Sequence, residues 1–526
     1  MGAGKLSGST LSIRDWAREE AELRDIMARW IHGEIPLQEE IPWRGGHDEG
    51  TFAYSWFPFY LLTGDKCISA FLGRLKDRCL DWMDSANSMY HGYWRSMDVH
   101  HGTELFNNFL AQYIAFDGDK RVVEAFEDVA HHIGNWIKDM PEWYDWRKRL
   151  FKSEVLGTER IEPDRGENLP CHFRLVQILL EAYIATGRRR YLDLSVEYVD
   201  HWIERSKAEG FIPLCLNSPV TDKSKLEIVE EHAANNAINI LMDLYLLTGR
   251  DDYIGAVRKL IPYLLGSISD PNNNMSASLI AKYRIISGDG NFDDEIIDSL
   301  RIPNVEEFTS ALMIFDSEFE RKSHPLGLIG RRRDEPTWAF RRADGEMVMD
   351  EWSPSAHLLL ASQIRGDEDL AALALWRARV GLKLAITNLR LGRNHGCAAN
   401  TASSVAAGHG RSFPYGNVTS TLFPATLGGF QFLGWYKPHI KYYGRDGRLG
   451  IPAEVQALFF PATQEGENRI LIHNGSSDSV RLSLELTTGK WRRDDLENID
   501  LKFIKFSERF LTVEVPANTF GEIRFT

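Results

Sequence analysis

The sequence predicts a mainly α chain: an array of six helical hairpins, followed by a small C-terminal antiparallel β-sandwich. Six apolar segments end in nearly the same signature. They are Tyr60 to Asp65 (YLLTGD), Tyr113 to Asp119 (YIAFDGD), Tyr183 to Arg188 (YIATGR), Tyr245 to Arg250 (YLLTGR), Tyr283 to Asp289 (YRIISGD) and a degenerate Ser362 to Asp367 (SQIRGD). Glycine takes the left-handed conformation that closes a helix, so each copy reads as a helix stop. A second helical pattern usually starts within a few residues, and such a cadence marks a stacked or closed helical array. From about Tyr442 the pattern becomes alternation of apolar and polar residues, the mark of strands.

The signatures place six first helices at 47–63, 100–116, 167–186, 229–248, 273–287 and 351–365. Second helices follow at 66–84, 119–138, 189–206, 251–265, near 293–300, and 368–388. Between 302 and 350 lies another helix-like run, Val305 to Phe319, then a polar Arg-rich loop; a further helix is expected at Asn400 to Ala407. Strands are expected at Arg469–His473, Val480–Leu486, Leu501–Phe506, Phe510–Val515 and Glu522–Phe525, separated by turn clusters such as Asn474 to Asp478. The chain thus divides into an N-terminal helical segment (1–40), a helical body (41–440) and a β appendix (441–526).

Composition excludes several classes. An apolar fraction of 43% and a charged fraction of 26% belong to an ordinary globular protein. With a net charge of −14 and no basic run beyond Arg331-Arg332-Arg333, a nucleic-acid partner is not expected. Five scattered cysteines form neither a disulfide framework nor a CxxC zinc module. The first twenty residues are polar, and no stretch approaches a membrane span, so a cytoplasmic protein without a membrane partner is expected. No cofactor and no metal are expected, because no HExxH or comparable spacing occurs.

If each first helix stops at its glycine, the opposite ends share one rim. Those ends carry Gly46-His47-Asp48-Glu49; Asp98, His100, His101 and Glu104; Glu167-Asn168, His172 and Arg174; Glu231-His232 with Asn235-Asn236; and Asp350-Glu351-Trp352 reaching His357. Acidic residues and Asn are ordinary helix caps. Capping does not call for paired histidines and amides at one rim, so a shared functional mouth is expected. Trp43, Trp94, Trp143, Trp146 and Trp352 fall in the loops near it, and flat aromatic faces at a polar cleft suit sugar rings.

The cadence of LLEAYIATGRRRYLDLSVEYVDHWIE (Leu179 to Glu204) and INILMDLYLLTGRDDYI (Ile238 to Ile254) resembles the (α/α)6-toroid carbohydrate-active enzymes. These include unsaturated glucuronyl hydrolases, sugar 2-epimerases, zinc-cysteine β-L-arabinofuranosidases and several polysaccharide lyases. The ending Pro516 to Phe525 is similar to the β domain that often follows a glycosidase body. Asp350-Glu351-Trp352-Ser353 with Gly396-Cys397 is faintly similar to the zinc-binding segments of the arabinofuranosidases. Ser353 stands where a cysteine is needed, and one thiolate with one carboxylate does not make a tetrahedral site.

The resemblance implies a carbohydrate substrate, with oligomeric state left open. Glycoside hydrolysis needs two carboxyl groups. The positions suggest Glu231 and Glu351, with Asp98 third, from a set that also holds Asp48 and Glu104. Substrate contacts are expected from Asp48, His100, His101, Glu104, His172, Arg174, His232, Asn236, Trp352, His357, His409, Arg411 and Tyr415. The alternative is a uronate lyase, whose β-elimination needs a base, a group to neutralise the carboxylate, and often a Tyr for the leaving oxygen. The stretch Asn394-His395, His409-Gly-Arg411, Tyr415-Gly-Asn417 supplies those types. A non-enzymatic helical scaffold would instead show an unremarkable rim.

Overall fold

The computed structural model describes residues 15–40, 42–43, 50, 53–218, 221–270, 273–302, 308–314, 337–342, 344–349, 351–391, 418–462 and 466–526, with backbone alone at 308–314, 337–342, 347–349, 384–385 and 387–391. The described chain is mostly helical and ends in antiparallel sheets. The signature glycines close their helices as expected: Gly64, Gly118, Gly187, Gly249, Gly288 and Gly366 all have φ between 60° and 70°. The residues around them have a physical reason too. The N–H groups of Gly64, Gly187 and Gly249 each donate to the carbonyl of the signature tyrosine at 2.7 Å. Thr63, Thr186, Thr248 and Ser287 turn their hydroxyls back onto the carbonyl four residues earlier, and each hydroxyl accepts the N–H just past the glycine.

Six glycine-closed segments pack in cyclic order: Ala53–Thr63, the stretch Val99–Phe116, Phe173–Thr186, Ala237–Thr248, Asn274–Ser287 and Ser355–Arg365. The circuit does not close between the last and the first. A seventh segment, Val418–Leu422 continuing into Phe423–Thr426, packs against both. Its outer neighbour is Trp16–Glu39, which also packs on Glu368–Leu391 and Lys66–Ser85. The N-terminal helix is therefore part of the helical circuit rather than a separate segment. A bidentate contact from Arg379 to Glu19, at 2.8 Å for the closer pair, ties it there.

Three elements differ from expectation. The segment 229–248 is two helices, Lys225–Ala234 and Ala237–Thr248, because Asn236 takes φ 66° between them; asparagine tolerates that region where most residues do not. The stretch 100–116 carries a π-helical insert at Leu105–Leu110. Within Val305 to Phe319, Phe308–Ile314 is a strand paired antiparallel with Thr337–Arg342, so β-branched and aromatic content outweighed a helical period. The expected helix at 400–407 lies outside the described residues.

The C-terminal region holds two four-stranded antiparallel sheets. One has the order Ile440–Tyr443, Val480–Leu486, Phe510–Val515, Lys502–Phe506. The other runs Val455–Phe460, Asn468–Asn474, Thr519–Phe525, Glu497–Ile499. They join the helical body at its glycine end. Ile451 N–H donates to Leu62 O at 2.8 Å, and a Cβ on Gly64 would lie 1.6 Å from Leu449 O. Gly64 is thus required twice, for its φ and for this approach.

Glu20 is fully buried at this junction, 3.4 Å from Arg24, whose guanidinium donates to Val455 O at 2.8 Å. Burial pushes the Glu20 carboxyl up to about 7, against the pull of Arg24. A raised carboxyl holds its proton in the folded state after the unfolded chain has lost it. Its contribution to stability therefore falls as pH rises from about 4.5 to about 7 and is flat above that. Glu20→Gln is expected to remove this fall, raising stability at pH 8 by up to about 3 kcal/mol relative to wild type and leaving it unchanged near pH 4. Paired urea melts across that range check it; equal differences at both ends would refute it.

Candidate functional site

Counting back from the closing glycines indexes the interior of the circuit. Ten residues before each stand Tyr54, Asn108, Gln177, Asn239, Ser278 and Ala356, and all six line one central cavity of about 110 Å³. Of the residues expected at the N-terminal rim, Arg174 and Asn236 line it, while Asp98, His100, His101 and Glu104 do not. Its far end is closed from the glycine side.

The closure is a β-hairpin, Phe430–Phe432 paired with Trp435–Lys437, whose tip enters the bore. Six residues before the glycines stand Gln112, Glu181, Asp243 and Lys282, and these hold the tip. Leu433 N–H donates to Asp243 Oδ2 at 2.8 Å and Gly434 N–H to Glu181 Oε1 at 3.0 Å, while Gln112 donates to Gly434 O. A side chain at Gly434 would place its Cβ 2.4 Å from Ala111 Cβ. Lys282 Nζ lies 2.6 Å from Asp243 Oδ1, both side chains fully enclosed. Burial pushes Asp243 up and Lys282 down, each opposed by the other's charge. Glu181 has no cation and is driven well above the carboxylate range by burial, with Asp243 adding to it.

Along the wall runs a chain of amides crossing four helices. Lys282 donates to Asn239 Oδ1 at 3.2 Å, Asn239 to Asn236 Oδ1 at 2.9 Å, Asn236 to Gln177 Oε1 at 2.7 Å, and Gln177 to Asn107 O at 3.5 Å. The π-helical insert widens its turn so that Asn107 and Asn108 both reach the cavity. Tyr54 donates from its hydroxyl to Asn107 O at 3.2 Å or Asn108 Oδ1 at 3.3 Å. Burial raises the Tyr54 hydroxyl above the usual tyrosine range, Arg174 opposing and Glu181 and Glu104 assisting.

At the rim, His100 Nε2 stands 3.1 Å from Glu104 Oε1 and His100 Nδ1 3.2 Å from Asn235 Oδ1. Arg174, almost fully buried, lies 4.0 Å from the same Glu104 oxygen. Asp98 caps its helix by accepting from His101 N–H at 3.0 Å and receives the His101 ring Nδ1 at 2.8 Å. Burial alone would raise Asp98, but those two His101 hydrogen bonds and the nearby imidazole charges outweigh it and bring it to about 2. A carboxylate holding Nδ1 orients the ring and fixes the direction of Nε2.

The structure brings together Asp98, His100, His101, Glu104, Arg174 and Asn236 of the residues expected at the mouth. It separates the others. Glu231 pairs with Lys223 at 2.6 Å on the surface and Glu351 is exposed; neither lines the cavity. His172, His232 and His357 turn away between the helical layers, where each donates to a backbone carbonyl: Ser153 O at 2.9 Å and Pro213 O at 2.9 Å in loops, and Ile296 O at 3.0 Å in the helix Asp293–Asp298. Burial lowers all three, to about 4 for His232 and His357, so they sit neutral as pins between segments. Trp352 is half-buried with its carbonyl near Arg377, and Trp143 is a core residue whose indole donates to Gly157 O at 3.0 Å. Asp48, His409, Arg411 and Tyr415 lie outside the described residues.

Sequence reasoning missed Tyr54, Asn107, Asn108, Gln177, Asn239, Lys282 and the hairpin residue Gln431. The signal for four of them was present: a polar residue ten positions before a signature glycine, inside an otherwise apolar helix. Among the described residues no group of three or more His, Cys, Asp or Glu is arranged to hold a metal ion, and no helix is long and apolar enough to cross a membrane.

No family model matches the chain, and no curated protein matches it. Two solved structures are similar at a low level. One is a polysaccharide lyase, at 12% identity over 69% of this chain and 98% of that chain, with a TM-score of 0.36. The other is the Streptomyces avermitilis α-L-rhamnosidase complexed with L-rhamnose, at 10% identity over 91% of this chain and 38% of that chain, with a TM-score of 0.29. Likeness of this degree assigns no activity, which has to be argued from the bore and its rim.

Proposed function

We propose that the chain is a carbohydrate-processing enzyme with an α/α-toroid body and a β-sandwich appendix, cleaving a uronate-containing sugar chain by β-elimination at the rim of the bore. The reading is carried by a buried guanidinium (Arg174) and a phenol (Tyr54) that line one cavity, with Glu231 and Glu351 outside it; the Asp98-oriented imidazole (His101) adjoins His100, which meets the Glu104 carboxylate beside Arg174. Arg174 neutralises the uronate carboxylate, which makes the adjacent C5–H acidic. His101 Nε2 takes that proton. The C4–O bond breaks as the C4=C5 double bond forms, and the Tyr54 hydroxyl delivers a proton to the departing oxygen. The amide wall fits the hydroxyl-rich remainder of a sugar.

Glycoside hydrolysis is the second reading, favoured by the presence of Asp98 and Glu104 at the same rim. Incubation with a panel of uronate-containing and neutral glycans in H₂¹⁸O separates the two. Elimination yields an ultraviolet-absorbing unsaturated uronate and no ¹⁸O in the new chain end. Saturated products carrying ¹⁸O would overturn the elimination reading in favour of hydrolysis.

A further inference from the structure

The bore wall between Arg174, Tyr54 and the hairpin carries side-chain polar atoms that neither the elimination nor the packing uses. Asn107, 1% exposed, spends its Nδ2 on Arg174 O at 3.0 Å, while its Oδ1 is buried and hydrogen-bonded to no protein group. Gln431, on the hairpin beside the tip, has both amide atoms buried and unpartnered, and it lines the same cavity. Buried polar atoms in native proteins are almost always paired, so an amide left open on a cavity wall is built to meet something that enters. What enters meets donors and acceptors together, since Gln431 offers one of each and Asn107 a second acceptor. Hydroxyl groups, which both donate and accept, match that set.

Charge narrows the ligand further. Of the cations at this end, Lys282 is matched by Asp243 at 2.6 Å, and Lys437, whose charge reaches that pair, stands over the Phe432 ring at 5.1 Å and does not line the cavity; the hairpin tip consumes the carboxyl groups of Asp243 and Glu181. The guanidinium available for a uronate is Arg174, near the rim. Apolar faces from Met275, Leu359 and Phe430 complete the wall, suited to the C–H faces of a pyranose. The hairpin meanwhile closes the way onward, bonded to three inner helices at once.

We infer that the hairpin-closed floor of the bore, directly beside Arg174 and Tyr54, is a subsite for the uncharged terminal sugar of the substrate chain, recognised by Asn107 and Gln431, so that cleavage proceeds from a chain end. The direction of the chain rests on the uronate reading of the rim; binding at the floor does not. Among the described residues the hairpin closes the floor, and a closed floor admits a chain end, whereas an internal stretch of polymer needs an open cleft.

The test measures binding without turnover. The intact protein is titrated with D-glucose, D-galactose, D-mannose, L-rhamnose and D-glucuronate by saturation-transfer NMR. At least one neutral sugar is expected to bind, with glucuronate unable to displace it. Gln431→Leu is expected to weaken that binding by at least about tenfold, the loss of two hydrogen bonds. It should leave the melting temperature equal or higher, because the removed amide has no protein partner; a purely structural Gln431 would lower it. Gln431→Glu, isosteric but charged, serves as a second variant and is also expected to abolish binding. Absence of binding by every neutral sugar, or binding untouched by both variants, overturns the inference. If an elimination substrate is found, internal fragments early in digestion overturn the chain-end reading alone. Sugar binding with no elimination product leaves the subsite standing and removes the rim chemistry.

Discussion

Asp243→Asn is expected to be among the most destabilising isosteric changes in the molecule, at about 3–5 kcal/mol, the range for stripping one partner from a buried ion pair. Asp243 holds two groups at once: the Lys282 ammonium at 2.6 Å and the Leu433 N–H at 2.8 Å. The asparagine carbonyl can keep one of these. Its amide N–H₂ then faces the other donor, and Lys282 is left as a buried cation that must find water or lose its proton. Adding Lys282→Met to Asp243→Asn should recover part of the loss, because it removes the uncompensated charge.

Glu181→Gln is the contrasting case. Burial keeps Glu181 protonated, so the amide keeps the neutral charge and can still accept from Gly434 N–H, and little stability should change. Chemical denaturation of the three variants reads the pattern. Asp243→Asn unfolding at the wild-type midpoint would mean that the pair and the hairpin tip are not what holds the bore floor.

How much of this was legible in the sequence depends on which forces wrote each feature. The six closing glycines were legible because φ near 65° is a backbone requirement that few residues meet, and the signature around them repeats the same local hydrogen bonds. The seventh segment, Val418–Thr426, also runs into a left-handed glycine, Gly428 at φ 60°, but Pro424 to Gly429 lacks the Tyr-x-x-Thr/Ser-Gly-Asp/Arg signature that marks the others, and its place is fixed by contacts with Ala53–Thr63 and Ser355–Arg365, far apart in sequence. Histidines at the rim were read as one population and proved to be two. His100 and His101 sit on the first turn of a helix that faces the mouth. His172, His232 and His357 face outward, where a neutral imidazole is a compact donor for a backbone carbonyl of a neighbouring segment. The difference is angular position on the helix, and a rim assignment that ignores facing cannot separate them. Facing could have been set by the glycines themselves, since a fixed offset from a fixed helix end is a fixed direction. That offset points at Tyr54, Asn108, Gln177 and Asn239, and away from Glu231.

Tyr54→Phe carries the largest expected effect on activity, a fall in kcat of about 10²- to 10⁴-fold, the usual contribution of a positioned proton donor. The substitution removes one oxygen and leaves the ring on the cavity wall, so KM should move little. Arg174→Lys should behave differently. A lysine keeps charge but loses the planar fork that grips a carboxylate, so KM rises along with a loss in kcat. The pH profile reports the protonation state of the donor. Burial, with Glu181 and Glu104 assisting and Arg174 opposing, raises the Tyr54 hydroxyl above its ordinary value of 10. The donor therefore stays protonated through the working range, and no alkaline limb below pH 10 should disappear when Tyr54 becomes Phe. A Tyr54→Phe enzyme with wild-type kcat would transfer the proton-donor role to another group and leave the amide wall as a binding surface only.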